Sequence, residues 1–267
     1  MKNKALFICV DYNSELDSLN LINSILNQSQ LKNIYAIISD NSEKNSPNLQ
    51  NLQKKYKNIT YLKNKENLGY FQGANSALNY YLKKNKLPEW VIVSNSDIII
   101  KDTKFFSKLF KIKGKIIVAP SIISAKTKNN QNPFLITKLT AKKVKFYKTL
   151  YSSKILTEIY TGFHIIKSKF SRRNKKTKKQ IYAPHGSFII INKEYFKRGG
   201  NLDYASFLFG EEIFLAEEAK KAKIKIIYNP ILKVIHKENV STSRIKNKNQ
   251  FLRKSLLTNI ELLKKTK

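Results

Sequence analysis

"VIVSNSDIII", residues 91–100, is an apolar run interrupted at a single carboxylate, Asp97. The first half of the run belongs to "EWVIVSN" (89–95), rich in β-branched residues, which reads as a buried strand. Asp97 is then either a turn residue that ends the strand or a group held out at its end. The surrounding sequence decides which kind of sheet the strand joins. "ALFICV" (5–10) and "IYAIIS" (34–39) are further buried strands, and "ITYLKN" (59–64) and "KIIVAPSII" (115–123) are strand-like. Between them lie segments with helical apolar spacing: Leu19, Ile22, Ile25 and Leu26 in the first, "NLQNLQKKY" (48–56) in the second, and Ala74, Ala77, Leu78 and Tyr81 in the third. "TKFFSKLFKI" (103–112) is a fourth. Strands and helices alternating at this pitch predict an α/β fold with a mostly parallel sheet covered on both faces. Ligands of such sheets bind beyond the carboxyl ends of the strands. Asp11, Asp40 and Asp97 all stand at predicted strand ends.

The rhythm breaks after residue 125. From Lys142 to Lys179 there are thirteen Lys or Arg against one acid, Glu158, interleaved with aromatic and aliphatic residues. Two readings stand side by side. One is an amphipathic segment lying on anionic lipid; the other is a solvated insertion with a disordered tip at "SRRNKKTKKQ" (171–180). Globular signals return with "SFIIIN" (187–192), a strand, and "KEYFKRGG" (193–200), a short helix stopped by glycines. "GEEIFLAEEAKKAK" (210–223) is a helix with an acidic first turn, and "KIIYNP" and "KVIH" are two strands. The division expected is 1–125, an alternating α/β half; 126–181, the basic aromatic insertion; 182–243, a second globular half; and 244–267, a basic helical tail.

The totals bound the function. A chain of 267 residues with 42% hydrophobic and 11% aromatic content buries a sizeable core. A single cysteine, Cys9, excludes an intramolecular disulfide, and its place in "ALFICV" marks it as a core residue. The net charge of +33 points to anionic partners, such as nucleic acid, an anionic membrane surface or phosphorylated substrates. The basic residues are nearly all Lys, with five Arg, and a compositional drift of the whole proteome produces the same balance. No stretch approaches the ~20 apolar residues needed to span a bilayer. "ALFICV" is short for a signal-peptide core, so the expected location is the cytoplasm, peripheral on the inner face of the cell membrane.

A reaction that expels a phosphate needs a divalent ion held by oxygen ligands, and a carboxylate at the open edge of a sheet supplies one. Asn95 lies two residues before Asp97 and faces the same side of an extended chain, so the two share an ion in this reading.

Taken together, "VDYNS" (10–14), "SDNSE" (39–43), "NKENLGYFQGAN" (64–75), "SNSD" (94–97), "HGSFIIIN" (185–192), "FLFGEEIFL" (207–215) and "VIHKENVSTS" (234–243) resemble a family 2 glycosyltransferase of the GT-A fold. Within that family they look like the bacterial rhamnosyltransferase-like group. The resemblance covers roughly 4–125 and 182–243, and implies that 1–125 is the nucleotide-sugar-binding half and 182–243 the acceptor and catalytic half. It implies an inverting glycosyltransferase that moves a sugar from a nucleotide-sugar to a lipid-linked or surface-glycan acceptor in polysaccharide, lipopolysaccharide or capsule synthesis. It further implies that Tyr12 lies against the nucleotide base with Asp11 beside it, and that Asp40 accepts hydrogen bonds from the base. The Asn67–Gly69 turn brings backbone to the nucleotide, and Asn75 follows on the next helix. Asp97 is the retained acid of a DxD-type motif for Mg²⁺ or Mn²⁺, with Asn95 in place of its first acid; His236 completes the metal site. Glu212 aligns with the catalytic base, Glu211 is its runner-up, and His185 faces the acceptor. Two departures stand out. "NSD" carries one carboxylate where metal-dependent relatives carry more, and Asp11 adds a negative charge near the nucleotide.

Two other functions compete. A nucleic-acid-binding protein accounts for the charge but not for acids gathered at strand ends, and no nucleic-acid-binding motif appears. A nucleotidyltransferase on a similar sheet lacks here a Gly- and Arg-rich phosphate loop after the first strand.

Overall fold

The computed structural model describes residues 4–153, 177–204 and 210–238, together with Leu257 and Glu261. Residues 154–176 of the basic insertion, including the start of its tip, residues 205–209, which include "FLF" (207–209), most of the tail and the end of "VIHKENVSTS" lie outside the described residues.

Among the described residues one sheet carries nine strands. They are β1 (Ala5–Asp11), β2 (Ile34–Asp40), β3 (Ile59–Lys63), β4 (Trp90–Asn95), β5 (Ile98–Ile99), β6 (Ile116–Ser124), β7 (Lys179–Ile181), β8 (Phe188–Asn192) and β9 (Lys225–His236). The spatial order is β3-β2-β1-β4-β8-β6-β9-β5, with β7 also on β9. The first four strands are parallel. Beyond β4 the sheet is mixed: β8 runs antiparallel to both β4 and β6, and β9 runs parallel to β6. The parallel half is the alternation read from the sequence; the mixed half is where that alternation breaks.

Period-2 alternation sends successive side chains to opposite faces, and both faces here are covered. Leu6, Ile8, Val91, Val93, Ile189 and Ile191 pack on one side with helices α3 (Tyr70–Leu82) and α7 (Glu211–Lys221). Phe7, Cys9, Trp90, Ile92, Phe188 and Ile190 pack on the other with α1 (Glu15–Leu26) and α4 (Phe105–Leu109). Helix α2 (Pro47–Lys55) adds Leu49 to that second layer. This two-sided burial explains why the strands read as continuous apolar runs. Cys9 is fully buried, and burial pushes its thiol far above the ordinary range, so it is a core residue.

Three local differences from the sequence reading have physical causes. "KIIYNP" and "KVIH" form one strand, β9, whose register against β6 jumps from Pro120↔Asn229 to Ser121↔Lys233. Pro230 has no N–H to offer a ladder, so the chain bulges there and resumes pairing. The helix expected over 103–112 forms only from Phe105 to Leu109. The region 126–181 is also tied into the fold at both ends. Asn132 donates to the Pro120 carbonyl at 2.8 Å, Leu135 bridges to Ala183, and β7 pairs with β9. Its helix α5 (Ala141–Ser152) places Val144 against Ile213 of α7. The remaining short helix, α6 (Lys193–Lys197), follows β8 and is capped by Asn192, whose side chain accepts from Glu194 N–H.

Candidate functional site

Register places the strand-end acids together. Asp11 is the direct partner of Asp40, and Val10 is the partner of Asn95, so the ends of β1, β2 and β4 meet at one edge of the sheet. Their side chains are not equivalent. Asp11 is fully buried; its Oδ1 accepts from Ser18 Oγ at 2.5 Å and Ser14 Oγ at 2.8 Å, and its Oδ2 from Ser42 Oγ at 3.3 Å. Burial raises its carboxyl above the ordinary range against the pull of those donors. Asp40 is also fully buried: Tyr61 Oη donates to it at 2.5 Å, Ser42 N–H at 2.8 Å, and Lys63 Nζ lies 3.3 Å away. Burial and this bond to Asp40 push the Tyr61 phenol up to about 12. Both acids thus organise the loops after β1 and β2 from fully buried positions. Tyr12, between them in sequence, is exposed. Neighbouring Asn13 turns the loop in the left-handed region (φ 52°) and donates its N–H to Ser42 Oγ at 2.7 Å.

The turn before α3 is built by its own polar residues. Asn67 Oδ1 accepts from Gly69 N–H at 3.0 Å, and Gly69 adopts φ 79°, which favours glycine. Asn41 donates to the Gly69 carbonyl at 2.8 Å and accepts from Asn64, which in turn accepts from Ser76 Oγ. Asn75 is half-buried on α3.

Asp97 does not sit on an extended strand. β4 ends at Asn95, Ser96 and Asp97 form a turn, and β5 begins at Ile98. The extended backbone that would align Asn95 with Asp97 is therefore interrupted. Asn95 is half-buried and donates its N–H to the Ser187 carbonyl at 2.9 Å. Ser96 Oγ lies 2.8 Å from Ser14 Oγ, coupling this turn to the Asp11 loop. What the turn brings to Asp97 is His236, the last residue of β9: its Nε2 lies 3.3 Å from Asp97 Oδ1. Residues 139 apart in the chain meet because β5 pairs with β9 at Ile98↔His236.

The loop His185-Gly186-Ser187 joins this pair to α7. The His185 ring is edge-on to His236 at 5.8 Å, and its Nδ1 lies 2.9 Å from Ser187 Oγ; the backbone N–H of His185 donates to Asn132 Oδ1 at 2.7 Å. Withdrawal from water, reinforced by the neighbouring His236, holds the His185 imidazole down at about 3, so the ring is neutral. Gly186 donates its N–H to Glu212 Oε1 at 3.1 Å and accepts from Tyr70 Oη at 2.8 Å. A Cβ at position 186 would lie 2.8 Å from Glu212 Oε1, so only glycine leaves that carboxylate in place. Burial raises the Glu212 carboxyl, while backbone N–H groups of Glu212 itself, Gly186 and Gly210 work in the opposite direction. Glu211 is buried, whereas Glu212 is half-buried and so the more accessible of the two. Both stand in the first turn of α7, where the helix dipole favours negative charge.

Ser14, Ser18, Ser42, Tyr70 and Gly186 were not singled out from the sequence. Serines are common, and nothing local distinguishes those that reach Asp11. Gly186 carries the one usable signal, a glycine immediately before a strand.

Among the described residues no three His, Cys, Asp or Glu side chains converge on one point. Two cis ligands of an octahedral ion with bonds of about 2.1 Å stand about 3 Å apart, close to the 3.3 Å between Asp97 and His236. The spacing of the pair therefore fits two positions of such an ion.

The family model for glycosyl transferase family 2 matches residues 7–200. No curated protein matches the chain. Among solved structures, GalNAc-T7 with UDP, GalNAc and Mn²⁺ superposes with a TM-score of 0.57 at 14% identity. That likeness covers 89% of this chain and 44% of GalNAc-T7, so the chain spans less than half of that relative's length. The mannosyltransferase PcManGT from Pyrobaculum calidifontis, in complex with GDP-Man and Mn²⁺, superposes with a TM-score of 0.56 at 11% identity, covering 100% of this chain and 74% of the other. Both likenesses are of fold.

Proposed function

The chain belongs to glycosyl transferase family 2, and from that premise we propose that it transfers a hexosyl or deoxyhexosyl unit, with inversion, from a nucleotide-sugar to a lipid-linked or surface-glycan acceptor in bacterial polysaccharide, lipopolysaccharide or capsule synthesis. The observation that carries the reading is the run of contacts from Asp97 through His236, His185 and Gly186 to Glu212. A metal-type pair and a raised carboxylate stand at its two ends. A charge-driven nucleic-acid binder has no use for that arrangement.

In this reading Tyr12 offers its exposed ring to the base, and the Asn67–Gly69 turn brings backbone close to the nucleotide. Asp11 and Asp40 hold the two loops in shape from below, and Asn75 helps seat the turn's helix. Asp97 and His236 would hold Mg²⁺ or Mn²⁺, with Asn95 alongside, and such an ion would supply positive charge against the departing diphosphate. Glu212 Oε accepts the proton of the acceptor hydroxyl as its oxygen attacks the anomeric carbon, and the bond from that carbon to the diphosphate breaks on the opposite face. Gly186 N–H orients the Glu212 carboxylate, Tyr70 anchors Gly186, and neutral His185 lines the acceptor side.

The donor is read out by melting. A nucleotide that binds the native state raises Tm by mass action. One of UDP, dTDP, GDP, CDP and CMP should raise Tm selectively, by several degrees at saturation and by more with Mn²⁺. Uniform silence across the panel, with salt-sensitive binding to DNA or RNA, would transfer the function to nucleic acid.

Helix α5 supports a membrane-facing acceptor. Lys142, Lys143, Lys145 and Lys148 are exposed, as is Phe146, while Val144 and Leu150 face inward. Among the described residues no helix is long and apolar enough to cross a membrane. Basic side chains near an anionic surface contribute about 1 kcal/mol each. Reversing Lys142 and Lys145 to Glu should weaken co-sedimentation with phosphatidylglycerol vesicles by tenfold or more. Equal sedimentation of wild type with phosphatidylcholine vesicles would remove the electrostatic basis of that placement.

A further inference from the structure

His236 is held from behind by residues that neither the motifs nor the family match assigns. Its Nδ1 lies 2.8 Å from Gln131 Oε1; Gln131 Nε2 donates to Glu238 Oε1 at 2.6 Å; and Glu238 Oε2 accepts from Ser124 Oγ at 2.9 Å. The backbone of Glu238 is in the left-handed region (φ 58°), rare for a residue with a side chain, and Lys126 Nζ donates to its carbonyl at 2.7 Å. That turn sends the carboxylate back over the strand end toward Gln131.

The chemistry of these groups fixes a direction. A carboxylate only accepts, so the group Gln131 shows to Glu238 must be its NH₂. Gln131 then shows its carbonyl oxygen to His236, and Nδ1 must carry the proton. A neutral ring with its proton on Nδ1 has a bare lone pair on Nε2, and Nε2 faces Asp97 Oδ1 at 3.3 Å. In the neutral ring these two acceptors repel unless a cation, a metal ion or a second proton, sits between them. The competing tautomer, Nε2–H donating to Asp97, would close the pair on itself and remove a metal ligand. Between the two neutral tautomers, the choice of an open or a closed pair is therefore made by Gln131 and Glu238.

Resting on the metal reading proposed above, we propose that Gln131 and Glu238 are positioning residues that hold His236 in its Nδ1–H form and so keep the Asp97–His236 pair open for a divalent ion. Outer partners of a ligating histidine typically contribute 10- to 100-fold in metal affinity.

The test uses the full chain and two readouts. ¹⁵N NMR of the metal-free protein, at a pH where the ring is neutral, reports which nitrogen of His236 bears the proton. Mn²⁺ binding with UDP or GDP present is followed by electron paramagnetic resonance. Wild type should show Nδ1–H. Glu238→Gln removes the obligatory acceptor, lets the Gln131 amide turn over, and should shift His236 toward Nε2–H with a roughly tenfold or greater loss of Mn²⁺ affinity. The exchanged double variant, Gln131→Glu with Glu238→Gln, restores an acceptor-only group behind Nδ1 and should recover both. A residue serving only the fold would not be rescued by reversing the direction of the relay. If wild type binds Mn²⁺ and Glu238→Gln keeps both the tautomer and the affinity, the inference fails alone. If wild type shows Nδ1–H yet binds no Mn²⁺ with either nucleotide, the metal reading fails and takes the inference with it.

Discussion

Glu212→Gln is expected to lower kcat by about 10³-fold, within the range for loss of a general base, while the melting response to the donor nucleotide is unchanged. Glutamine has the same shape, and its amide oxygen can still accept the Gly186 N–H that now meets Glu212 Oε1 at 3.1 Å. What it loses is the capacity to take the acceptor's proton. The pH dependence follows from burial. Because the carboxyl is raised above its ordinary value of 4.5, it protonates at a higher pH than an exposed glutamate. Only the ionised form acts as a base, so kcat should fall as pH drops through that raised value. The acid limb should disappear from the residual activity of Glu212→Gln. Full activity in this variant, with the loss transferred to Glu211→Gln, would make the neighbouring carboxylate the base.

Asp97→Asn should lower kcat/KM by about 10²- to 10³-fold, the scale for removing one preorganised group from a developing charge. It should also erase the extra stabilisation that Mn²⁺ gives to the bound nucleotide. The substitution keeps size and hydrogen-bonding capacity but removes the only carboxylate facing His236 Nε2 among the described ion pairs. A purely structural Asp97 would instead show a lowered Tm without nucleotide and an unchanged metal increment. Assays of kcat/KM and melting with and without Mn²⁺ separate these outcomes.

The halves of the chain differed in how much they disclosed. β1, β2 and β4 were legible to within a residue or two because each is buried on both faces, and such strands are nearly unbroken apolar runs; β3, a half-buried edge strand, was legible from its β-branched and aromatic residues. The helices between them carry their stripe at i, i+3, i+4 spacing. β9 misled as two strands because Pro230 and a register jump punctuate it, and pairing with β6 on both sides of the bulge is a tertiary fact. The expectation that Asn95 and Asp97 share one face of an extended chain failed on a two-residue turn that no local propensity marks in "SNSD".

Burial separated the acids that looked alike. Asp11, Asp40 and Asp97 each follow an apolar run, yet the first two are enclosed and supplied with donors from Ser14, Ser18, Ser42, Tyr61 and Lys63. Only Asp97 meets a histidine. Hydrophobic period is a local property written in consecutive residues, and so the sequence alone determined the α/β sheet, its parallel half and the strand ends that carry the acids. Which of those acids supports the loops and which meets a histidine depends on register and on strands that arrive from 139 residues away. Only the tertiary structure decided that, because solvation and hydrogen-bond partners belong to the folded neighbourhood rather than to the residue.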